Sequence, residues 1–402
     1  MPAPAAEAVA ADVAIVGGGI AGASAAAALA PFCSVVLVER ESRCGVHSTG
    51  RSAASFTENY GNDIVRRLAI ASRSFLEAPP SGFSEALLMT PRGMLTIARQ
   101  DQLEMLAAEL EQARAFVPSI RRIGVDEALA RVPVLRADYV ADAFLEPHSR
   151  EIDVDALHQG YLRAARRAGA RILTGAEVTA VGRRDGAWQL GTAAGSVAAG
   201  ILVNAAGAWA DTLAVLAGAA PLGLVPERRT ACHVAAPEGV SISAWPLVND
   251  TGETFYFKPD AGRLFVSPSD ATPSPPVDAQ PEEIDVAMAI DRLQRATTIK
   301  VASVPHRWAG LRTYAADRSP VVGFDAAIEG FFWLAGQGGY GIKTSPALSA
   351  LTAALIRGVP LPETFAATGL SADQLSPARP SLRPAALLSS SQPGVQHDHR
   401  TA

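Results

Sequence analysis

The stretch Val13–Glu39 constrains the fold most, because a glycine cluster there separates an apolar strand from an alanine-rich helix. Its parts are a strand over residues 13–16, the glycines Gly17, Gly19 and Gly22, a helix, a strand over 35–38 and the acid Glu39. The glycines have the spacing G-x-G-x-x-G, which permits a tight turn, a close approach to the backbone and close packing of helix on strand. This order predicts a βαβ unit that binds a dinucleotide, with the pyrophosphate at the helix N-terminus and the acid on a ribose.

The glycine motif alone does not decide whether the cofactor is FAD or a nicotinamide. Composition narrows the class of protein. A length of 402 residues with 49% hydrophobic content predicts a globular chain of two domains. The net charge of −5 and the scattered arginine pairs do not favour nucleic acid as a partner. The three cysteines form no C-x-x-C pair, so neither a disulfide framework nor a metal site is predicted. No long apolar run and no basic leader are present, which predicts a cytoplasmic protein without a membrane span.

The rest of the chain predicts a parallel sheet interrupted by a β-meander, which a simple nicotinamide domain lacks. The expected strands are residues 171–173, the short pieces 177–183, 187–190 and 196–198, a buried strand 201–204 and a last strand 331–335. A hairpin over residues 254–267 and a helix over 282–297 indicate a second, mixed region. The expected fold is therefore α/β, a Rossmann-like domain with a β-meander plus a mixed α+β substrate-binding domain.

Breaks in the pattern set the expected domain ranges. The nucleotide-binding domain is predicted to comprise residues 1–79, 147–219 and 307–372, and the substrate-binding domain residues 80–146 and 220–306. A tail over residues 373–402, rich in serine, proline and glutamine, is predicted to be disordered. His397 and His399 lie in that tail and have no expected metal role.

Six motifs follow one another in an order that resembles a known family. They are the glycine motif with Glu39, HSTGRSAAS at 47–55, LVNAAGAW at 202–209, FYFKPD at 255–260, WAGLRTY at 308–314 and GQGGYGIKTSP at 336–346. Together they are similar to the FAD-dependent amine and amino-acid oxidoreductases of the D-amino acid oxidase and glycine oxidase superfamily. Within it, the chain most resembles the D-arginine dehydrogenase type of bacterial D-amino acid dehydrogenase.

The resemblance implies that FAD binds non-covalently in an extended conformation. The adenosine would lie on Glu39 and Val178, and the flavin between the loop 48–53 and the segment 336–343. A helix beginning near Thr344 would direct its positive N-terminal end at the flavin edge where negative charge develops. The residues implied to contact FAD are Gly17, Gly19, Ile20, Ala21, Gly22, Glu39, Arg40, Ser48, Thr49, Gly50, Arg51, Ser52, Ala53, Val178, Ala206, Gly207, Trp209, Gly310, Arg312, Gly338, Gly339, Tyr340, Gly341, Ile342 and Lys343.

The resemblance also implies a site for a D-amino acid. Its carboxylate would be held by Tyr60, Tyr256, Arg229 and Arg312, and the carbonyl of Gly339 would border the amine. Arginine suits this role because its planar fork forms two parallel hydrogen bonds with a carboxylate. Taken alone, Arg229 beside Arg228 is more typical of a surface cation, whereas Arg312 lies in an apolar run. No general base is assigned, because positioning carries most of the catalysis.

The implied reaction is oxidation of a D-amino acid to its imino acid by hydride transfer to FAD. Water then yields a 2-oxo acid and ammonia, and the electrons pass to a quinone-like acceptor. One alternative is an oxidase of the same fold that acts on glycine, sarcosine or another secondary amine with O₂. Another is a flavin-binding module without turnover, which has no need of a carboxylate clamp.

Departures from the D-arginine dehydrogenase pattern lie in the substrate pocket. Gly93 stands where that type has an acid, and Ser55 where it has a histidine. Glu58 and Asn59 are polar at positions where small apolar residues are expected. D-Arginine is therefore not the expected substrate, and a neutral or polar D-amino acid is favoured. A cation site at Glu58 is a hypothesis that Glu58→Gln tests, since unchanged selectivity between D-lysine and D-leucine would refute it.

Overall fold

The computed structural model describes residues 9–382, whose strands form three sheets. In chain order the strands are β1 (Val9–Val16), β2 (Val35–Val38), β3 (Ser55–Phe56), β4 (Met89–Pro91), β5 (Met94–Ala98), β6 (Arg121–Ile123), β7 (Asp142–Glu146), β8 (Arg150–Ile152), β9 (Arg171–Leu173), β10 (Val178–Arg184), β11 (Ala187–Thr192), β12 (Gly195–Asn204), β13 (Val225–Ala235), β14 (Leu247–Asp250), β15 (Tyr256–Asp260), β16 (Arg263–Ser267), β17 (Thr272–Pro273), β18 (His306–Tyr314), β19 (Val321–Phe324) and β20 (Phe331–Ala335). The helices are α1 (Ile20–Leu29), α2 (Asp63–Glu77), α3 (Leu103–Phe116), α4 (Val125–Arg131), α5 (Val154–Arg167), α6 (Ala210–Leu216), α7 (Glu283–Ala296), α8 (Gly341–Arg357) and α9 (Glu363–Ala366).

The first sheet has β1 at its centre, between the parallel strands β2 and β12. β9 extends it beyond β2, and β20 joins the other side of β12, both in parallel. β10, β11 and β12 form an antiparallel meander at one edge. Apolar side chains of α1, α5 and α8 form one core with this sheet, among them Leu29, Leu157 and Leu348. The predicted α/β fold with a Rossmann-like sheet and a β-meander is confirmed.

The structure joins two predicted strands, residues 196–198 and 201–204, into the single strand β12. From the sequence, Gly200 suggests a break between two strands, but β12 pairs in register with β1 from Val197 to Asn204. On its other edge, β12 pairs first with β11 and then with β20, so the meander and the parallel sheet share one strand. The pairing also extends β1, which begins at Val9 and not at residue 13.

The second sheet has the order β17–β13–β16–β15–β14–β5–β7–β6. β18 pairs with the other edge of β13, from Val225 to His233. The predicted hairpin is present as β15 and β16, with Tyr256 opposite Ser267. Alternate residues point to opposite faces, so Phe257 packs into a core with Leu293 of α7. Tyr256 points to the other face. The domain ranges stay a prediction, and β18 pairs with the second sheet although its sequence falls in the range 307–372.

The helix α8 begins at Gly341, one turn earlier than the predicted start near Thr344. Pro346 lies inside it without breaking it. A proline has no N–H for the carbonyl four residues earlier, and the hydroxyl of Ser345 donates to that carbonyl, on Ile342, at 3.0 Å. The helix therefore directs its N-terminus closer to the nucleotide motif than the sequence indicates.

The predicted disordered tail does not begin at residue 373. Short helical turns cover Ala372–Leu375 and Pro380–Leu382, and Arg379 donates to Asp317 at 2.7 Å. Residues 383–402, with both tail histidines, lie outside the described range. Within residues 9–382, no helix is long and apolar enough to cross a membrane, and no three His, Cys, Asp or Glu side chains are grouped to hold a metal ion.

Candidate active site

The glycine turn after β1 is built for a close approach of the backbone. Gly17 has φ +111°, and a Cβ there would lie 2.3 Å from the carbonyl oxygen of Ala205. A Cβ on Gly22 would lie 1.9 Å from the carbonyl oxygen of Gly17, so only glycine lets α1 pack on the turn. The N-cap residue Gly19 has no side chain to cap α1, and the backbone N–H of Ile20 donates to the Thr49 hydroxyl at 2.9 Å, so the other N–H groups of the first turn remain for an anionic ligand. This turn fits the pyrophosphate of a dinucleotide.

Glu39 lies buried at the end of β2, beside the same turn. Its two carboxylate oxygens accept hydrogen bonds from the backbone N–H of Gly18, at 2.7 Å, and of Glu41, at 2.9 Å. These bonds fix the carboxylate in one orientation where it lines the cleft. An oriented acceptor at this position is suited to bind ribose hydroxyls.

The loop that contains Ser48 and Arg51 follows β2 of the first sheet and is hydrogen-bonded to β18 of the second. The Ser48 hydroxyl donates to the carbonyl of Leu311 at 2.5 Å, and the Arg51 guanidinium donates to the carbonyl of Ala309 at 2.8 Å. A further Arg51 nitrogen donates to Asp278 at 2.5 Å. Arg51 lines the cleft, but its donors are engaged with protein acceptors. Its structural role is to fasten the loop to β18.

Arg312 on β18 is the most informative side chain of the site. Its Nη1 is buried and has no hydrogen-bond partner within the described chain. Its guanidinium packs on Gly339, where a Cβ would lie 3.0 Å from both Cζ and Nη1. Burial disfavours the charge of Arg312, but neighbouring tyrosine hydroxyls raise its pKa overall, so it is cationic at physiological pH. A buried cation with a free donor is a site for an anionic ligand.

Arg229 and the tyrosines complete this end of the cleft. The Nε of Arg229 donates to the carbonyl of Asp270 at 2.6 Å, which fixes the plane of its guanidinium. The Tyr60 ring lies 5.4 Å from that of Tyr340, edge to face. Burial raises the pKa of the Tyr60 hydroxyl to about 12, against the opposing effect of Arg312. The Tyr60 hydroxyl is therefore neutral, and it donates to Glu253 at 3.3 Å.

An apolar wall continues from this end of the cleft. Tyr256 stacks on Phe265, with ring centroids 5.7 Å apart. The wall consists of Ala231, Leu247, Tyr256 and Phe265, packed with Ala53, Met94 and Trp308. Glu58 is not part of this wall or of the cleft lining, and its carboxylate pairs with Arg73 at 2.9 Å. The structure therefore does not support Glu58 as a site for a cationic substrate.

Most of the predicted site residues line one continuous cleft. They are Gly17, Gly19, Ile20, Ala21, Glu39, Arg40, Ser48, Thr49, Arg51, Ser52, Ala53, Val178, Ala206, Gly207, Trp209, Arg229, Tyr256, Gly310, Arg312, Gly338, Gly339, Gly341 and Ile342. The predicted residues that do not line it are Gly22, Gly50, Tyr60, Tyr340 and Lys343. The individual roles of all these residues stay predictions.

His47 and Phe265 are among the cleft-lining residues to which the sequence analysis assigned no role. His47 lies against the indole of Trp209, with ring centroids 4.9 Å apart, and directly precedes the predicted loop. Phe265 pairs with Lys258 across the hairpin, and therefore lies on the same face as Tyr256. The hairpin register, which the predicted turn implies, contained the signal for Phe265.

Comparison with known proteins identifies the family. A family model described as DAO, FAD dependent oxidoreductase, matches residues 12–355. Glycine oxidase from Geobacillus kaustophilus is 25% identical over 360 residues, which cover 86% of this chain and 92% of that protein. Its crystal structure has a TM-score of 0.79 at 23% identity and covers 92% of this chain and 99% of that one.

Two further crystal structures share the fold. L-Proline dehydrogenase from P. horikoshii has a TM-score of 0.79 at 20% identity, covering 93% of this chain and 98% of that one. Iminodiacetate oxidase from Chelativorans sp. BNC1 has a TM-score of 0.75 at 24% identity, covering 91% and 98%. The family model identifies FAD as the cofactor, and the glycine turn and the oriented acid fit its dinucleotide part. The chain belongs to the DAO family of FAD-dependent oxidoreductases.

Proposed function

We propose that the protein oxidises the carbon–nitrogen bond of a small amino acid, with a D-amino acid as the first candidate. The observation that carries the proposal is the buried Nη1 of Arg312 in the cleft, which has no hydrogen-bond partner among residues 9–382. A guanidinium in this state binds a carboxylate with charge-assisted hydrogen bonds. FAD, when bound, accepts the hydride. The remaining tasks belong to the protein.

The first task is to hold the carboxylate. Arg312 supplies the buried charge, and Arg229, whose guanidinium plane Asp270 fixes, supplies a second cation in the same cleft. The hydroxyls of Tyr256, which lines the cleft, and of Tyr60, which donates to Glu253, are suited to add hydrogen bonds at this end. Anchoring the acid in this way orients Cα–H, and such positioning lowers the barrier without a dedicated base.

The second task is to stabilise the negative charge that develops at the flavin end of the cleft and to keep side chains out of the space that the ring needs. Gly341 and Ile342, in the first turn of α8, line the cleft, so the positive end of the helix dipole is directed there. Gly338 and Gly339 leave room for protein side chains beside the cleft, since a Cβ on Gly338 would lie 2.0 Å from Cε1 of Tyr314 and one on Gly339 would lie 3.0 Å from Cζ of Arg312. These features suit the flavin end of the cleft.

A second candidate is an oxidase of glycine, sarcosine or another secondary amine with O₂. The similarity to glycine oxidase, L-proline dehydrogenase and iminodiacetate oxidase favours it, because proline and iminodiacetate are secondary amines. The apolar wall suits a small substituent on Cα or on nitrogen. The resemblance to D-amino acid dehydrogenases supports a quinone-like acceptor, and the similarity to oxidases supports O₂.

Anaerobic mixing separates these candidates by substrate. The yellow holoenzyme is mixed with D- and L-alanine, D- and L-leucine, glycine, sarcosine and proline, and loss of the oxidised flavin band is followed. Bleaching by D-amino acids supports the first candidate, and bleaching only by glycine or secondary amines supports the second. No bleaching by any of these amino acids would refute both. An oxygen electrode then distinguishes O₂ from an artificial quinone as acceptor.

A further inference from the structure

Lys343 lies in the first turn of α8 with 3% of its surface exposed, and it does not line the cleft. Its ammonium points to the segment 57–60 and donates to two backbone carbonyls there. The distances are 2.9 Å to the oxygen of Thr57 and 2.7 Å to that of Tyr60. One buried side chain therefore connects the helix directed at the flavin end of the cleft to the residue predicted to contact the substrate carboxylate.

The ammonium also lies near two aromatic rings. Nζ is 5.4 Å from the ring centroid of Tyr60 and 5.7 Å from that of Tyr340, within the range of cation–π attraction. The two rings contact each other edge to face. Displacing the ammonium would therefore release both the backbone and the ring of Tyr60.

Acidic groups compensate for the burial of this cation. Glu146 accepts a hydrogen bond from the hydroxyl of Thr57 at 2.9 Å, and burial raises the pKa of Glu146 to about 7. Burial lowers the pKa of the Lys343 ammonium to about 7, and Glu146 and Glu58 oppose this effect. Burying charged groups costs desolvation free energy, which their mutual attraction offsets only when the geometry is good and further hydrogen bonds are made.

We propose that Lys343 is a positioning residue that holds Tyr60, so that the tyrosine hydroxyl, which donates to Glu253 at 3.3 Å, is placed to exchange that acceptor for a ligand carboxylate held by Arg312. The inference rests on the proposed function, because it assumes that a carboxylate binds at Arg312. Lys343 itself contacts neither the carboxylate nor the reacting atoms. Its effect passes through the backbone of Tyr60, to which it donates, and through the ring that it contacts.

The test measures binding of benzoate, a carboxylate with an apolar body, from the change that it causes in the flavin absorbance of the holoenzyme. Lys343→Met removes the ammonium but keeps an apolar stem. We expect the dissociation constant for benzoate to rise about tenfold, as for the loss of one charge-assisted hydrogen bond. Lys343→Gln, which keeps N–H donors, is expected to recover part of the affinity.

Two comparisons distinguish positioning from a general loss of structure. Arg379→Met removes another buried cation, which pairs with Asp317 and does not line the cleft, and it should leave benzoate affinity unchanged. In a Tyr60→Phe background, Lys343→Met should have little further effect, because the hydroxyl that it positions is absent. A tenfold effect that persists in this background would refute the proposal.

The outcome for the wild type separates this inference from the proposed function. If the wild-type holoenzyme does not bind benzoate, the carboxylate site itself is wrong. If it binds benzoate and Lys343→Met binds it equally well, with FAD retained, only the positioning role is refuted. If Lys343→Met loses FAD, Lys343→Gln replaces it in the test. The positioning role would also be refuted if Tyr60→Phe binds benzoate as tightly as the wild type while Lys343→Gln binds it more weakly.

Discussion

Replacing Arg312 with methionine should separate ligand binding from stability. A carboxylate that accepts two hydrogen bonds from the guanidinium gains about 1.5–3 kcal/mol from each. Arg312→Met then loses about 3–6 kcal/mol, which raises the dissociation constant for a carboxylate about 10²–10⁴-fold. Without ligand, the same change removes a buried, unpaired nitrogen, whose burial costs about 1–3 kcal/mol. Methionine fills the space with a flexible apolar chain.

The assay has two parts. The rate of anaerobic flavin bleaching is measured against substrate concentration, which gives the apparent dissociation constant and the limiting rate. Thermal unfolding of the substrate-free holoenzyme gives its Tm, which is expected to stay the same or rise. Arg312→Lys serves as the control, since it keeps the charge without the planar fork and should recover only part of the affinity. A large fall in Tm together with unchanged substrate affinity would show that Arg312 is structural, and would refute this reasoning.

Two further predictions follow from the packing. Gly22→Ala places a Cβ 1.9 Å from the Gly17 carbonyl oxygen, so the purified protein should retain little FAD. Gly182→Ala is the control, because a Cβ added there meets no atom of the described residues within 4 Å apart from its chain neighbours. Equal flavin-to-protein absorbance ratios in the two variants would contradict the prediction. Arg379→Met breaks the pair between buried Arg379 and half-buried Asp317 and should lower the free energy of unfolding by about 1–3 kcal/mol without changing flavin reduction. Burial raises the pKa of Asp317, but its bonds with Arg379 and Ser381 lower it overall to about 2. The stability from this group is therefore present above pH 4 and lost as the pH falls towards 2, so Arg379→Met should show a weaker acid-induced fall in Tm, and an equal fall in both proteins would count against the pairing.

The sequence predicted the parts of the fold that depend on local chemistry. The glycine spacing identified the turn after β1, because Gly17 needs a positive φ and Gly22 a missing Cβ. The acid at the end of β2, the meander and the hairpin of β15 and β16 were likewise predicted from short patterns. Arg312 was singled out by the family resemblance, and its place in an apolar run made a surface position less typical for it.

Long-range contacts decide what the sequence did not predict. Gly200 continues β12 because strands on both sides hold it, and a local pattern contains neither neighbour. Arg51 turns its donors to carbonyls of β18 and to Asp278, more than 200 positions away in the chain. The side-chain direction of Lys343 likewise depends on carbonyls in a segment 280 residues earlier, so its role was not visible beside the glycines of its own motif.

The central claim is that the cleft selects a carboxylate beside the amine that is oxidised. Its most direct test compares the anaerobic bleaching of the wild-type flavin by the most effective amino acid with bleaching by the matching amino alcohol, which lacks only the carboxylate. We predict rapid bleaching by the acid and, at the same concentration, bleaching by the alcohol slower by about 10²-fold or more, as expected for the loss of the Arg312 hydrogen bonds. Equal rates with both compounds would contradict the account.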